Sequence, residues 1–304
     1  MRTYTKLLPW IDESKLNKFN WNYLSSNSAA IQLLEANPDK IVWYYLSRNP
    51  AANKLLEANP DKLHWGCWEY LSANPAAIHL LEANQDKIHW QELSLNPAAI
   101  HLLEANQDRI DWECWERLLQ NPAAIHLLEA NQDKIHWWSL SSNPTAIHLL
   151  EANLDKIDWE NLSSNPAAIH LLEANLDKID WENLSSNPAA IHLLKANLDK
   201  IDWEILSSNP TAIHLLEANS TKINWGMLSK NSAAIHLLEA NQDKIDWHCL
   251  SSNPAIFVLD YVKIKQQMDI IREDLCKKTL HPARMEYYLT TYGYDILSDE
   301  YISA

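Results

Sequence analysis

Residues 153–174 read NLDKIDWENLSSNPAAIHLLEA, and residues 175–196 repeat them with one change, Glu173 becoming Lys195. The same unit can be followed in both directions by its tryptophan. It falls at Trp21, Trp43, Trp65, Trp90, Trp112, Trp137, Trp159, Trp181, Trp203, Trp225 and Trp247. Successive steps are 22 residues, apart from 65 to 90 and 112 to 137, which are 25. Eleven units at such a period specify a solenoid in which each unit buries its apolar face against its neighbours.

Two helices are legible inside the unit. Asp158 suits an N-cap before Trp159, with Ile157 and Leu162 at the hydrophobic-staple positions. That first helix is short and ends near Ser163-Ser164. The second opens with Asn165 as N-cap and Pro166 at N1, where a missing N–H costs nothing. It runs through Ala174, with Ile169 and Leu172 on its apolar side and Asn175 as a left-handed C′ residue. Trp159, Asn165, Pro166, Ile169, Leu172 and Asn175 are therefore the structural signature of the repeat. The period-2 alternation of strands is absent. The expected fold is an all-α solenoid, a superhelix of eleven two-helix repeats of 22–25 residues. Residues 1–17 form an N-terminal cap, 18–253 the array and 254–304 a helical C-terminal cap. Neighbours about 9 Å apart would make a rod on the order of 100 Å long.

Composition narrows the function. The chain has 304 residues and a net charge of −15 with histidine neutral. Such acidity argues against binding a phosphate backbone, which needs Lys and Arg clusters. Four scattered cysteines, Cys67, Cys114, Cys249 and Cys276, do not make a disulfide framework and fit a reducing, intracellular setting. No apolar run approaches a membrane span, no secretory leader is legible, and three glycines leave no phosphate-cradling loop.

Two features depart from pure repetition, and one polar column repeats with it. Each 25-residue step inserts three residues, in Trp65-Gly66-Cys67-Trp68 and Trp112-Glu113-Cys114-Trp115, lengthening the first helix by nearly one turn. The two positions after each repeat tryptophan vary, and Tyr44, Tyr45, Trp68, Tyr70, Trp115 and Trp138 place aromatics in the N-terminal half as a candidate partner-binding ridge. A histidine column runs through His79, His101, His126, His148, His170, His192, His214 and His236. His170 and Glu173 stand i,i+3 on the second helix, so the column is expected to pair within units and, on protonation below about pH 6, to alter shape or binding. No Cys or second His lies at ligand spacing inside a unit, so no metal site is assigned. Nearly every polar residue is repeated, and the singular Cys67, Cys114 and His281 lack a partnered acid or base. No catalytic residue and no cofactor are assigned.

Beyond Asn253 the pattern changes. Val258 replaces histidine, residues 259–278 form an amphipathic helix with Val262, Ile264, Met268, Ile271 and Leu275 apolar, and a last helix runs from His281-Pro282 to Gly293 with Met285, Tyr288 and Leu289 facing inward.

Units of the form I-D-W-x-x-L-S-x-N-P-x-A-I-x-L-L-E-x-N resemble the short tandem repeats of many proteins of nucleocytoplasmic large DNA viruses. The tail, His281-Pro282-Ala283-Arg284 through Gly293-Tyr294-Asp295, resembles the H-P-x-R … G-Y-D ending of such proteins. The resemblance covers nearly the whole chain and implies a viral protein of the host cytoplasm or the virion, bringing no activity with it. The unit also resembles leucine-rich-repeat variants but departs in its 22-residue period and its tryptophan. The expected function is a non-enzymatic scaffold for viral or host protein partners, without membrane or nucleic-acid binding. The alternatives are a structural virion component, such as a minor capsid or bracing protein, and an acidic mimic of nucleic acid.

Overall fold

The structure, a computed structural model, describes residues 4–292. Two compact units are present among them, one of residues 7–257 and one combining 4–6 with 258–292.

The larger unit is the repeat array. In the repeat at the centre of the chain the first helix is Trp159–Ser164, capped by Asp158, whose side chain accepts from the Asn161 amide. Asn165 then caps a 3₁₀ turn, Pro166–Ala168, by accepting from the Ala167 amide. The second helix, Ile169–Ala174, follows directly. Asn175 is not left-handed: its φ is −138°, and its side chain donates to the Leu171 carbonyl at 2.9 Å. A side-chain donor answers a free carbonyl of the last turn there, so no left-handed residue is needed. A further 3₁₀ turn, Leu176–Lys178, leads into the next unit and was not legible beforehand.

The core is one continuous stripe. Leu162, Ala168 and Leu172 are fully buried, Leu171 and Ile157 nearly so, and Trp159 and Ile169 pack against them from partly buried positions. Polar groups are buried with equal regularity. Asn165 is 1% exposed, and its Nδ2 donates to the Ser141 carbonyl at 3.0 Å and the Asn143 carbonyl at 3.2 Å, both in the preceding repeat. Buried carbonyls left without donors are costly, so the asparagine recurs wherever two repeats meet. Ser141 adds a second link, its hydroxyl accepting from the Asp158 amide. Lys178 places its ammonium 4.6 Å from the Trp159 ring centroid, a third link.

These links do not stop at the ends of the array. Asn27 of the first repeat donates to the carbonyl of Ser251 in the last at 3.1 Å. The Asn20 amide donates to the Ser251 hydroxyl at 2.8 Å, and Lys18 sits 5.2 Å from the Trp247 ring. Phe19 occupies the isoleucine column at 5% exposure and meets Trp247 edge-on. The first repeat thus docks on the last through the same asparagine, serine and lysine positions that join repeats elsewhere in the array. The solenoid closes into a ring of eleven repeats, each turning about 33°, one eleventh of a circle.

Closure revises the expected rod. The two end repeats cover one another, and residues 7–17 fill in beside that seam. Trp10 meets Trp247 edge-on at 6.4 Å, Lys15 Nζ donates to Gln242 Oε1 at 3.0 Å, and the Leu8 amide donates to the Ile256 carbonyl. Neighbouring first helices pack directly on one another, as do neighbouring Pro-x-Ala turns, while consecutive second helices stand farther apart. In a closed ring the more closely spaced row lies on the smaller circumference, so the first helices form the inner row. Eleven of them at about 9 Å spacing give a circle of helix axes on the order of 30 Å across.

In the smaller unit, helices span Tyr261–Thr279 and Pro282–Tyr292. The Asp260 amide donates to the Tyr4 carbonyl at 2.8 Å, and the Tyr4 hydroxyl donates to Gln267 at 3.0 Å. The apolar residues expected to be covered here are largely open. Val262, Met268, Ile271 and Leu275 are exposed, as is Tyr288, while Ile264, Met285 and Leu289 are half-buried. Val258 lies in a three-residue strand, Phe257–Leu259, paired with Thr5–Leu7, a small sheet absent from the all-helical expectation. The Gly293-Tyr294-Asp295 motif and the expected stop at Gly293 lie outside the described residues.

Candidate functional site

The inserts correct the register. Trp68 and Trp115, not Trp65 and Trp112, occupy the repeat position. The Ser72 hydroxyl donates to the Trp68 carbonyl as Ser163 does to Trp159, and Lys87 and Lys134 cover the Trp68 and Trp115 rings at 4.7 and 4.4 Å. Trp68 is 7% exposed, whereas Trp65 is 84% exposed. The physical reason is leucine spacing: Trp68-Glu69-Tyr70-Leu71 keeps the i,i+3 interval of Trp159 to Leu162, which puts both on the core face. The helices are extended at their N-terminal ends, to Trp65–Ala73 and Trp112–Leu118. Of the aromatics assigned to a partner-binding ridge, Trp68 therefore belongs to the core, and Trp115 packs against it from a partly buried position. Cys67 and Cys114 are also interior, each thiol directed at a backbone carbonyl, of Lys62 and Arg109. Burial pushes the Cys114 thiol pKa up.

The remaining aromatics lie on first helices. On such a helix Trp159 and Leu162 face the core, so positions Glu160, Asn161 and Ser164 face away from it, toward the inside of the ring. That row is where the units differ. Tyr44 and Tyr45 meet edge-on at 5.5 Å, and Tyr44 reaches Tyr70 of the next repeat at 4.4 Å. Arg48 lies 4.1 Å from the Tyr70 ring. Gly66 lets the helix approach this cluster, since a Cβ there would stand 3.3 Å from Tyr44 Cε2. The hydrogen bond with Tyr70, together with desolvation and nearby charges, pushes the Tyr44 hydroxyl pKa up to about 12. Farther along the row Arg117 bonds Glu92 at 2.9 Å, and Trp138 is 47% exposed. The structure thus brings Tyr44, Tyr45 and Tyr70 together and leaves Trp138 apart.

Each insert also opens a cleft against the following repeat. The first, about 490 Å³, is lined by Leu63, Trp65, Trp68, Glu69 and the Asp86–His89 turn. The second, about 390 Å³, is lined by Ile110, Asp111, Trp115, Asp133, Lys134 and His136. The Cys114 amide bonded to Asp111 holds that carboxyl below the usual carboxylate range. Sequence reasoning missed the clefts; the W-E-x-L spacing was the available signal, because it marks Trp65 and Trp112 as the additional residues.

The histidine column pairs between repeats, not within them. His170 Nε2 lies 2.8 Å from Glu151 Oε1 and His192 Nε2 lies 2.7 Å from Glu173 Oε1, each in the preceding unit. Second helices stand far enough apart for both side chains to extend across the gap. Where Lys195 replaces glutamate the rung changes: His214 turns to Glu217 of its own helix, which also meets His236, and these contacts lower the Glu217 pKa. Each rung thus sets a carboxylate beside an imidazole. Asn53 donates to the Ala76 carbonyl of the next repeat. Among the described residues no group of three or more His, Cys, Asp or Glu could hold a metal ion, and no helix is long and apolar enough to cross a membrane.

The fold and these surfaces define a closed-ring α-solenoid with a variable inner row. No protein-family model, no curated protein and no solved structure matches the chain.

Proposed function

We propose that the ring is a non-enzymatic scaffold that binds protein partners through its inner row. One observation carries the reading: the columns joining repeats are nearly uniform around the circle, whereas the row facing away from the core varies and gathers Tyr44, Tyr45, Tyr70 and Arg48 in one arc. Tyrosine, tryptophan and arginine are enriched among the few residues that carry most of the energy at protein interfaces. The resemblance to repeats of large DNA viruses supports viral or host proteins as partners, met in the infected cell or the virion. Affinity capture from infected cells with the parent chain and with a Tyr44→Ala, Tyr45→Ala, Trp138→Ala variant tests this. The same partner should be held by the parent and lost by the variant; equal recovery by both would remove the inner row from the reading.

A further inference from the structure

The ring itself shows what its tryptophan faces select. At every repeat tryptophan but Trp43, a Lys or Arg of the next repeat lies over the ring. Around most of the circle that basic residue follows an aspartate, as Asp86-Lys87 and Asp133-Lys134 do. An insert adds a tryptophan to this scheme without adding a lysine. Trp65 is 84% exposed, and among the described residues no basic side chain covers it. Its cleft holds two carboxylates, Glu69 and Asp86, against one ammonium, Lys87, which is already engaged over Trp68. The second cleft repeats the imbalance with Asp111 and Asp133 against Lys134, engaged over Trp115.

We propose that the two insert clefts are a matched pair of sites for basic side chains, Lys or Arg, of one extended peptide segment in a partner. This deepens the reading of the ring as a protein-binding scaffold and rests on it. Charge complementarity selects the occupant: a chain of net charge −15 presents two wells with excess carboxylate, one beside an uncovered indole. The first cleft lies between the third and fourth repeats and the second between the fifth and sixth. Two repeat steps separate them by about 20 Å. An extended peptide spans that distance in about six residues, so two cations at that interval can engage both clefts at once. Joining two weak sites in one ligand raises affinity without any new contact.

The test is calorimetric titration of the full chain, at low ionic strength, with blocked peptides carrying two lysines separated by five Gly/Ser residues. Comparison peptides carry one lysine, two glutamines, or spacers of one and twelve residues, and blocked lysine alone serves as the free cation. The five-residue spacer should bind one peptide per ring, at least tenfold tighter than the one-lysine peptide. Asp86→Asn with Asp133→Asn should abolish that difference. So should a second variant lacking residues 65–67 and 112–114, which restores two regular 22-residue units. Binding independent of spacer length would mean diffuse attraction to an acidic surface and would overturn the proposal. Equal binding of blocked lysine, of the glutamine peptide, or by the cleft variants would overturn it as well. The titration needs no natural partner, so its failure and that of the capture experiment are separately visible.

Discussion

Asn165 uses both ends of its carboxamide, the oxygen as a cap within its own repeat and the nitrogen as a tie to the one before. Replacing it with alanine removes a helix cap, worth about 0.5–2 kcal/mol, and strands buried carbonyls at about 1–3 kcal/mol. Asn165→Ala should therefore lower stability by about 1.5–5 kcal/mol in urea denaturation. Asn175→Ala, which loses a single bond at a half-buried site, should cost about 1 kcal/mol. Similar losses for the two variants would deny the first asparagine its double role. At Tyr44 the folded pKa is raised from 10.0 to about 12, so its contribution is complete below pH 10 and is lost as pH rises toward 12. Tyr44→Phe should flatten the alkaline fall in melting temperature across that window, and an unchanged slope would contradict the Tyr44–Tyr70 bond. The cap roles of Asp158 and Asn165 were legible in the sequence because capping is local chemistry. The partner of His170 was not: an i,i+3 glutamate and one from the preceding repeat are equally available until helix spacing is known.

The elements that depart from the repeat are the two extended helices. Three inserted residues rotate a helix by nearly a full turn, so the sequence offers either tryptophan of each pair as the core residue. Leu71 and Leu118 decide between them, because the core requires an apolar pair at i,i+3 on one face. Deleting residues 65–67 leaves Asp61-Lys62-Leu63-His64 directly before Trp68, which is the order of a regular unit. That variant should fold with a melting temperature within a few degrees of the parent, since every link around Trp68 is retained. A loss of cooperative unfolding would show that the core depends on the buried Cys67 of the insert. The clefts depend on where the displaced segment comes to rest, a tertiary matter that spacing alone leaves open.

On the scale of the whole array, closure changes how stability is distributed. Terminal repeats of an open solenoid have one neighbour and fray first. Here the first and last repeats have two, so amides around Leu24 and Leu250 should exchange as slowly as those around Leu162. Asn27→Ala combined with Ser251→Ala removes the two side-chain hydrogen bonds that join the first repeat to Ser251 and should lower protection first in the repeats on either side of the seam. Faster exchange at both ends of the parent array would mean that the ring is open.

The sequence by itself determined the repeat, its two helices and their N-caps, and the buried face of the regular units. Those depend on interactions within a few turns of chain, and eleven near-copies state them repeatedly. Only the tertiary structure decided that the array is a ring, that Lys18 and Asn27 complete it against Trp247 and Ser251, and that the variable row lies inside it. Curvature is a difference between the spacings of two helical rows, fixed by how whole side chains pack across each junction. A small rotation at one junction is invisible in one unit, and eleven of them add up to a closed circle.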